Sequence, residues 1–170
     1  MEPRGVVVTG AYGTGKSSLI EEMASALEEG EYRFAAIDLD WLMWFQSDAD
    51  FLGVYLQNLA AVVSNYLAAG VELFLLAGTV RDPSELEMMR AVLPFPLVAI
   101  RLTAPLSVIQ ERLSAAVTSG RADDLEVAVQ QVQQQTGAGI EDLTLPNEGT
   151  IQEAAAAAMA WLGWLDQPAV

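Results

Sequence analysis

From Gly5 to Glu29 the chain reads as strand, glycine-rich turn and helix in immediate succession. Gly5 to Thr9 is a Val-rich run bounded by glycines, the pattern of a strand buried on both faces. Leu19, Ile20, Met23 and Leu27 then recur at helical spacing, and Gly30 supplies a stop. The residues between are Gly10-Ala11-Tyr12-Gly13-Thr14-Gly15-Lys16-Ser17, which fit the phosphate-binding pattern G-x-x-x-x-G-K-[ST]. Glycines let successive backbone N–H groups turn inward, and the following helix adds its positive end, so the turn forms an anion cradle. In that pattern Lys16, the one lysine of the chain, reaches the β- and γ-phosphates, and the Ser17 hydroxyl ligates Mg²⁺. Gly10 to Ser18 are therefore the expected nucleotide contacts.

The remaining elements alternate. Phe34 to Asp38, Val71 to Ala77, Pro96 to Leu102 and Leu143 to Leu145 read as strands. Helical spacing covers Phe51 to Ala69, the segment carrying Leu106, Ile109 and Leu113, and roughly Asp123 to Gln135. Asp82-Pro83-Ser84-Glu85 and Thr150-Ile151-Gln152-Glu153 are helix starts with capping-box spacing. Strands alternating with helices predict an α/β fold with a mostly parallel sheet of about five strands, wrapped on both faces, in one domain over residues 1–170.

Composition narrows the chemistry. Without cysteine or histidine there is no disulfide, thiolate or imidazole metal site, and no imidazole base. Proton transfer falls to carboxylates. A net charge of −15 opposes nucleic acid and anionic membranes, so neither is an expected partner. No apolar run approaches the roughly 20 residues of a membrane helix, and Met1-Glu2-Pro3-Arg4 lacks a signal-peptide layout. The expectation is a cytoplasmic protein, monomeric or homodimeric, acting on a small molecule.

With these elements in this order, the chain resembles the small P-loop kinases, the group that includes shikimate, gluconate and nucleoside monophosphate kinases. The resemblance implies a three-layer α/β/α fold, ATP and Mg²⁺ as cofactors, and phosphoryl transfer to an acceptor hydroxyl. Asp38-Leu39-Asp40 matches an Asp-x-Asp of shikimate kinases. By that likeness Asp38 orients Mg²⁺ through water, and Asp40 holds the acceptor hydroxyl and helps remove its proton. Independently of the family, carboxylates at i and i+2 on a strand end point the same way. Leu75-Leu76-Ala77-Gly78-Thr79-Val80-Arg81 is similar to an adenylate kinase stretch in which Arg grips the acceptor phosphate, so Arg81 is a substrate candidate. Ala77 replaces that stretch's carboxylate and puts extra weight on Asp38. Arg112 resembles the arginine that lies over the adenine, Arg121 a lid arginine acting on the transferring group, and Asn147 part of the loop that reads the base. Surface ion pairing is the alternative role for Arg81 and Arg112, and a plain turn for Asn147.

Trp41, Leu42, Met43, Trp44 and Phe45 follow Asp40 directly. Aromatics beside two carboxylates suggest a pocket for an aromatic or nucleoside-like acceptor, with Trp41, Trp44 and Phe45 as its contacts. The alternative is a helix core or a dimer face. An ATP-dependent small-molecule kinase is the leading reading. A nucleoside monophosphate kinase and a nucleotide-binding regulatory protein with weak NTPase activity are the alternatives.

Overall fold

The computed structural model describes residues 2–48, 50–115 and 122–165. Five strands, β1 (Arg4–Thr9), β2 (Phe34–Asp38), β3 (Leu73–Ala77), β4 (Leu97–Thr103) and β5 (Leu143–Pro146), form one sheet in the order β2-β3-β1-β4-β5. Every pairing is parallel, so the sheet is wholly rather than mostly so. The helices are α1 (Lys16–Glu29), α2 (Leu39–Met43), α3 (Phe51–Ala68), α4 (Pro83–Val92), α5 (Leu106–Ala115), α6 (Ala122–Gln133) and α7 (Ile151–Leu162).

Alternation along β1 divides the core between two faces. Val6 and Val8 join α1 (Leu19, Met23, Leu27) and α7 (Ala155, Ala158, Met159) on one side. Val7 points to the other and meets α3 (Tyr55, Leu59, Val63) and α4 (Leu86, Met89). All three valines are fully buried, each side chain worth about 1.5–3 kcal/mol when removed from water. This double covering is why the strands read as uninterrupted apolar runs.

The chain leaves β1 for α1 on one face and β3 for α4 on the other. A crevice therefore opens at the carboxyl ends of these two neighbouring strands. The phosphate loop and the turn at Gly78–Arg81 flank it. Thr9 ties the two together, its hydroxyl accepting from the Val80 N–H at 2.8 Å.

Two expectations need correction. Asp40 does not continue a strand. The Asp38 carboxylate accepts from the Asp40 N–H at 3.0 Å and caps α2, so the chain turns helical immediately after β2. The other concerns apolar length. Phe51–Ala68 is an 18-residue helix of mean hydropathy 1.2, long and apolar enough by those measures to cross a membrane. Here Tyr55, Leu59 and Val63 along one of its faces pack against the sheet. Both anticipated helix caps form. Thr150 and Glu153 make a reciprocal box. At α4, Asp82 accepts from the Glu85 N–H, while the Glu85 carboxylate reaches one residue further back, to the Arg81 N–H.

Candidate active site

Positive φ shapes the loop. Gly10 stands at φ 140°, and a Cβ there would collide with the Leu102 carbonyl. Gly15 stands at φ 99°, and its Cβ would lie 2.8 Å from Asn147 Nδ2. Only glycine meets both demands, of backbone angle and of close approach. The loop is braced from outside as well. The Thr14 carbonyl accepts from Arg112 Nη1 (3.1 Å) and from Asn147 Nδ2 (2.8 Å), and Arg112 Nη2 also donates to the Asn147 carbonyl (3.3 Å). On the α6 side, the Tyr12 N–H donates to Gln131 Oε1 at 2.6 Å and the Tyr12 hydroxyl to Asp124 at 3.1 Å.

A cleft of about 500 Å³ lies over the loop, lined by Tyr12, Gly13, Lys16, Ser17, Asp40 and Arg112 among others. A cleft of similar size, about 540 Å³, opens beside Arg4, Trp161 and Trp164 at the amino ends of β1 and β4, and no loop residue lines it. In the loop cleft Lys16 Nζ donates to the Gly10 and Ala11 carbonyls at 3.1 and 3.2 Å. Burial lowers its pKa to about 8, with Asp40 and Asp38 pulling in the opposite direction. Asp40 shows the converse. Burial, and then Asp38, raise its carboxyl above the usual range, while Lys16 opposes the shift.

Ser17 and Asp38 meet directly, the hydroxyl donating to the carboxylate at 2.8 Å. Asp38 sits beside Ala77 in the sheet register, next to the position where the adenylate kinase stretch carries its acid. These oxygen donors fit Mg²⁺, which keeps several waters and takes phosphate oxygens with one or two protein groups. Among the described residues, no cluster of three or more potential metal-ligating side chains (His, Cys, Asp or Glu) occurs.

The structure thus brings Gly10 to Ser18, Asp38, Asp40, Arg112 and Asn147 around one crevice. It disposes the other candidates differently. Arg81 is engaged by Glu85, with Nε and Nη2 at 3.1 and 3.4 Å from its carboxylate oxygens. Trp41 and Trp44 are 71% and 78% exposed and stack on each other at 5.3 Å, while Phe45 stacks on Phe51. Arg121 lies outside the described residues. Three residues near the site had no signal in the sequence reading. Gln131 and Asp124 hold the loop from a distant helix, and Tyr55, 2% exposed, has its phenol held well above the usual range by burial, Glu85 and Asp40.

No protein-family model and no curated protein matches the sequence. Solved structures do. An unliganded sugar kinase from Janibacter sp. HTCC2649 is similar at TM-score 0.66 and 19% identity over 95% of both chains. A gluconokinase from Sinorhizobium meliloti 1021 shows TM-score 0.64 and 22% identity over 96% of this chain and 93% of its own. Shikimate kinase from Bacteroides thetaiotaomicron shows 0.65 and 17% over 94% and 98%. The fold is that of the small P-loop kinases. At these identities the likeness carries the fold, and the chemistry rests on the residues themselves.

Proposed function

We propose that this chain is an ATP-dependent phosphotransferase acting on the hydroxyl of a small molecule. One observation carries the reading. The Ser17–Asp38 hydrogen bond of 2.8 Å joins the phosphate loop to the acidic end of β2, inside a cleft that also holds Lys16 and Asp40. Phosphate donors, metal donors and a carboxylate base then surround one point. A turn that matched the loop pattern by chance has no reason to gather the others.

In this reading the loop amides and Lys16 hold the β- and γ-phosphates, and Arg112 and Asn147 brace Thr14 beneath the nucleotide. Ser17 and Asp38 would hold Mg²⁺, which supplies charge neutralisation on the phosphates when bound. Asp40 accepts the proton of the acceptor hydroxyl as its oxygen attacks the γ-phosphorus. The bond from that phosphorus to the β–γ bridging oxygen breaks, and ADP leaves with the electron pair. Positioning and charge supply most of the acceleration. Arg121 is the proposed lid residue. The reading takes residues 1–170 as one catalytic domain working in the cytoplasm, as a monomer or homodimer.

The nucleoside monophosphate kinase alternative needs Arg81 free for an acceptor phosphate, and its pairing with Glu85 counts against that. The test is ADP release from MgATP across a panel of sugars, nucleosides, hydroxy acids and amino alcohols. Acceptor-dependent ADP release that disappears in Lys16→Ala is the expected result. Nucleotide binding with acceptor-independent turnover would favour a slow NTPase instead.

A further inference from the structure

Strand β4 carries a charge where an interior strand calls for none. It reads Leu-Val-Ala-Ile-Arg-Leu-Thr, and Arg101 pairs with Thr9 of β1 on one side and Thr144 of β5 on the other. The Arg101 side chain is 19% exposed. Arginine is seldom set that deep unless its donors are used, and here they are not. Arg33, Arg81, Arg90 and Arg112 each donate hydrogen bonds to described partners. Among the described residues Arg101 donates none from its side chain. Nη1 stands 3.6 Å from Glu141 Oε1, beyond hydrogen-bond reach, and Nε is buried without a partner. Glu141 Oε1 takes the Thr144 hydroxyl instead, at 3.0 Å. The contact with Glu141 is electrostatic only, and the guanidinium keeps its donors.

Arg101 lines a cleft of about 310 Å³ against the phosphate loop, which contributes Ala11 and Thr14 to the wall. The cleft shares no lining residue with the one that holds Lys16 and Asp40. Thr103 of β4 and Gln131, Gln135 and Thr136 at the end of α6 supply its other polar groups. In a chain with 23 acids and 8 bases, this lining holds one base and no acid, Glu141 standing outside it. Gln131 gives its carbonyl oxygen to the Tyr12 N–H and retains its NH₂ group as a donor. The carbonyls of Gln130, Gln131 and Val132 in the last turn of α6 are taken by the N–H groups of Gln134, Thr136 and Gln135. A guanidinium with amide and hydroxyl donors around it suits a planar carboxylate, which accepts two parallel N–H groups. An anion here and the phosphates of a nucleotide would have the loop as a common wall, and like charges oppose each other's binding.

We propose that this cleft is a regulatory site for a small carboxylate, held by Arg101 with Thr103, Gln135 and Thr136 beside it, whose occupancy weakens nucleotide binding at the adjoining loop. The site goes beyond the phosphotransferase reading and involves no acceptor.

Succinate is the probe, and succinamide, with the same carbon chain and no charge, is its control. In ¹⁵N-labelled protein only seven arginines contribute side-chain Nε–Hε signals, and that of Arg101 is assigned by its loss in Arg101→Lys. Sodium succinate is expected to shift that signal at millimolar concentration, measured against NaCl of equal ionic strength, and succinamide to bind at least tenfold more weakly. Arg101→Gln is expected to lose at least tenfold in succinate affinity, read by calorimetry. Should that variant fail to fold, Gln135→Asn/Thr136→Val, outside the sheet, is expected to lose at least threefold with its melting curve retained. At saturating succinate and excess Mg²⁺, MgATP affinity is expected to fall at least threefold in the unaltered protein and to stay constant in Arg101→Gln. An Arg101 signal unmoved at tens of millimolar succinate overturns the proposal. Equal binding of succinamide, shifts confined to other arginines, or an MgATP affinity indifferent to succinate does the same. The Arg101 signal is read without nucleotide, so its failure is separable from failure of the kinase reading, which appears as absent nucleotide binding or as turnover indifferent to every acceptor.

Discussion

At the residue scale, Lys16 and Asp40 pull against each other's environment. Burial lowers the pKa of the Lys16 ammonium to about 8, a shift that Asp40 and Asp38 offset only in part, and its hydrogen-bond partners are two carbonyls rather than a full anion. A polyphosphate supplies the missing counter-charge and restores the protonated form. Below about pH 8 the lysine is charged in both free and bound protein, so binding moves no proton there. Above it the free lysine is increasingly neutral and must take up a proton to bind. Calorimetry of MgATP at pH 9 in buffers of different ionisation enthalpy is expected to show uptake approaching one proton, with affinity falling up to about tenfold per pH unit; zero uptake at pH 9 would place the ammonium elsewhere. For Asp40 the sign is reversed. Its carboxyl pKa is raised in the folded protein, so the folded state binds more protons, and stability falls as pH climbs from the ordinary Asp value through the raised one. Asp40→Asn removes that penalty at neutral pH. The expected outcome is a higher melting temperature together with a kcat loss of about 100-fold or more and little change in ATP affinity. A destabilised Asn variant with wild-type kcat would refute both halves.

At the level of elements, the loop is held by side chains that arrive from far along the chain. Asn147 and Thr14 are 133 residues apart in sequence, and Arg112 and Thr14 are 98 apart. Strands, helices and both caps were legible because each leaves a local mark: an unbroken apolar run, a 3.6-residue period, an acid three residues after a capping oxygen. The brace at Thr14 leaves none, since nothing near Thr14 announces which distant donors meet its carbonyl. Helix α2 was hidden for another reason. Trp-Leu-Met-Trp-Phe after two acids reads equally as pocket wall or helix, and the deciding event is the Asp38 cap, a single hydrogen bond to Asp40. The consequences of the brace can be measured. Asn147 is 2% exposed, and Asn147→Ala strips one of two donors from the Thr14 carbonyl, at a cost of about 1–3 kcal/mol in stability. If the brace holds the cradle in shape, the same variant loses about tenfold or more in nucleotide affinity under conditions where it remains folded. Loss of stability with unchanged affinity would make Asn147 a structural residue only.

For the whole molecule, a net charge of −15 sets the field that a nucleotide must cross. The described arginines away from the loop are mostly paired with carboxylates, so little positive potential extends into solvent. An approaching MgATP, itself an anion, meets repulsion at long range and attraction only once it reaches the loop amides and Lys16. Salt screens the first more than the second, because the Debye length shortens to about 10 Å at 0.1 M while contacts inside the cleft lie well within it. The association rate of a fluorescent ATP analogue, followed by stopped flow, is therefore expected to rise by about threefold as NaCl goes from roughly 20 to 200 mM, against the usual fall for an anion entering a basic site. A nucleotide association rate that falls with salt would mean that positive potential does reach beyond the loop, from groups other than the paired arginines.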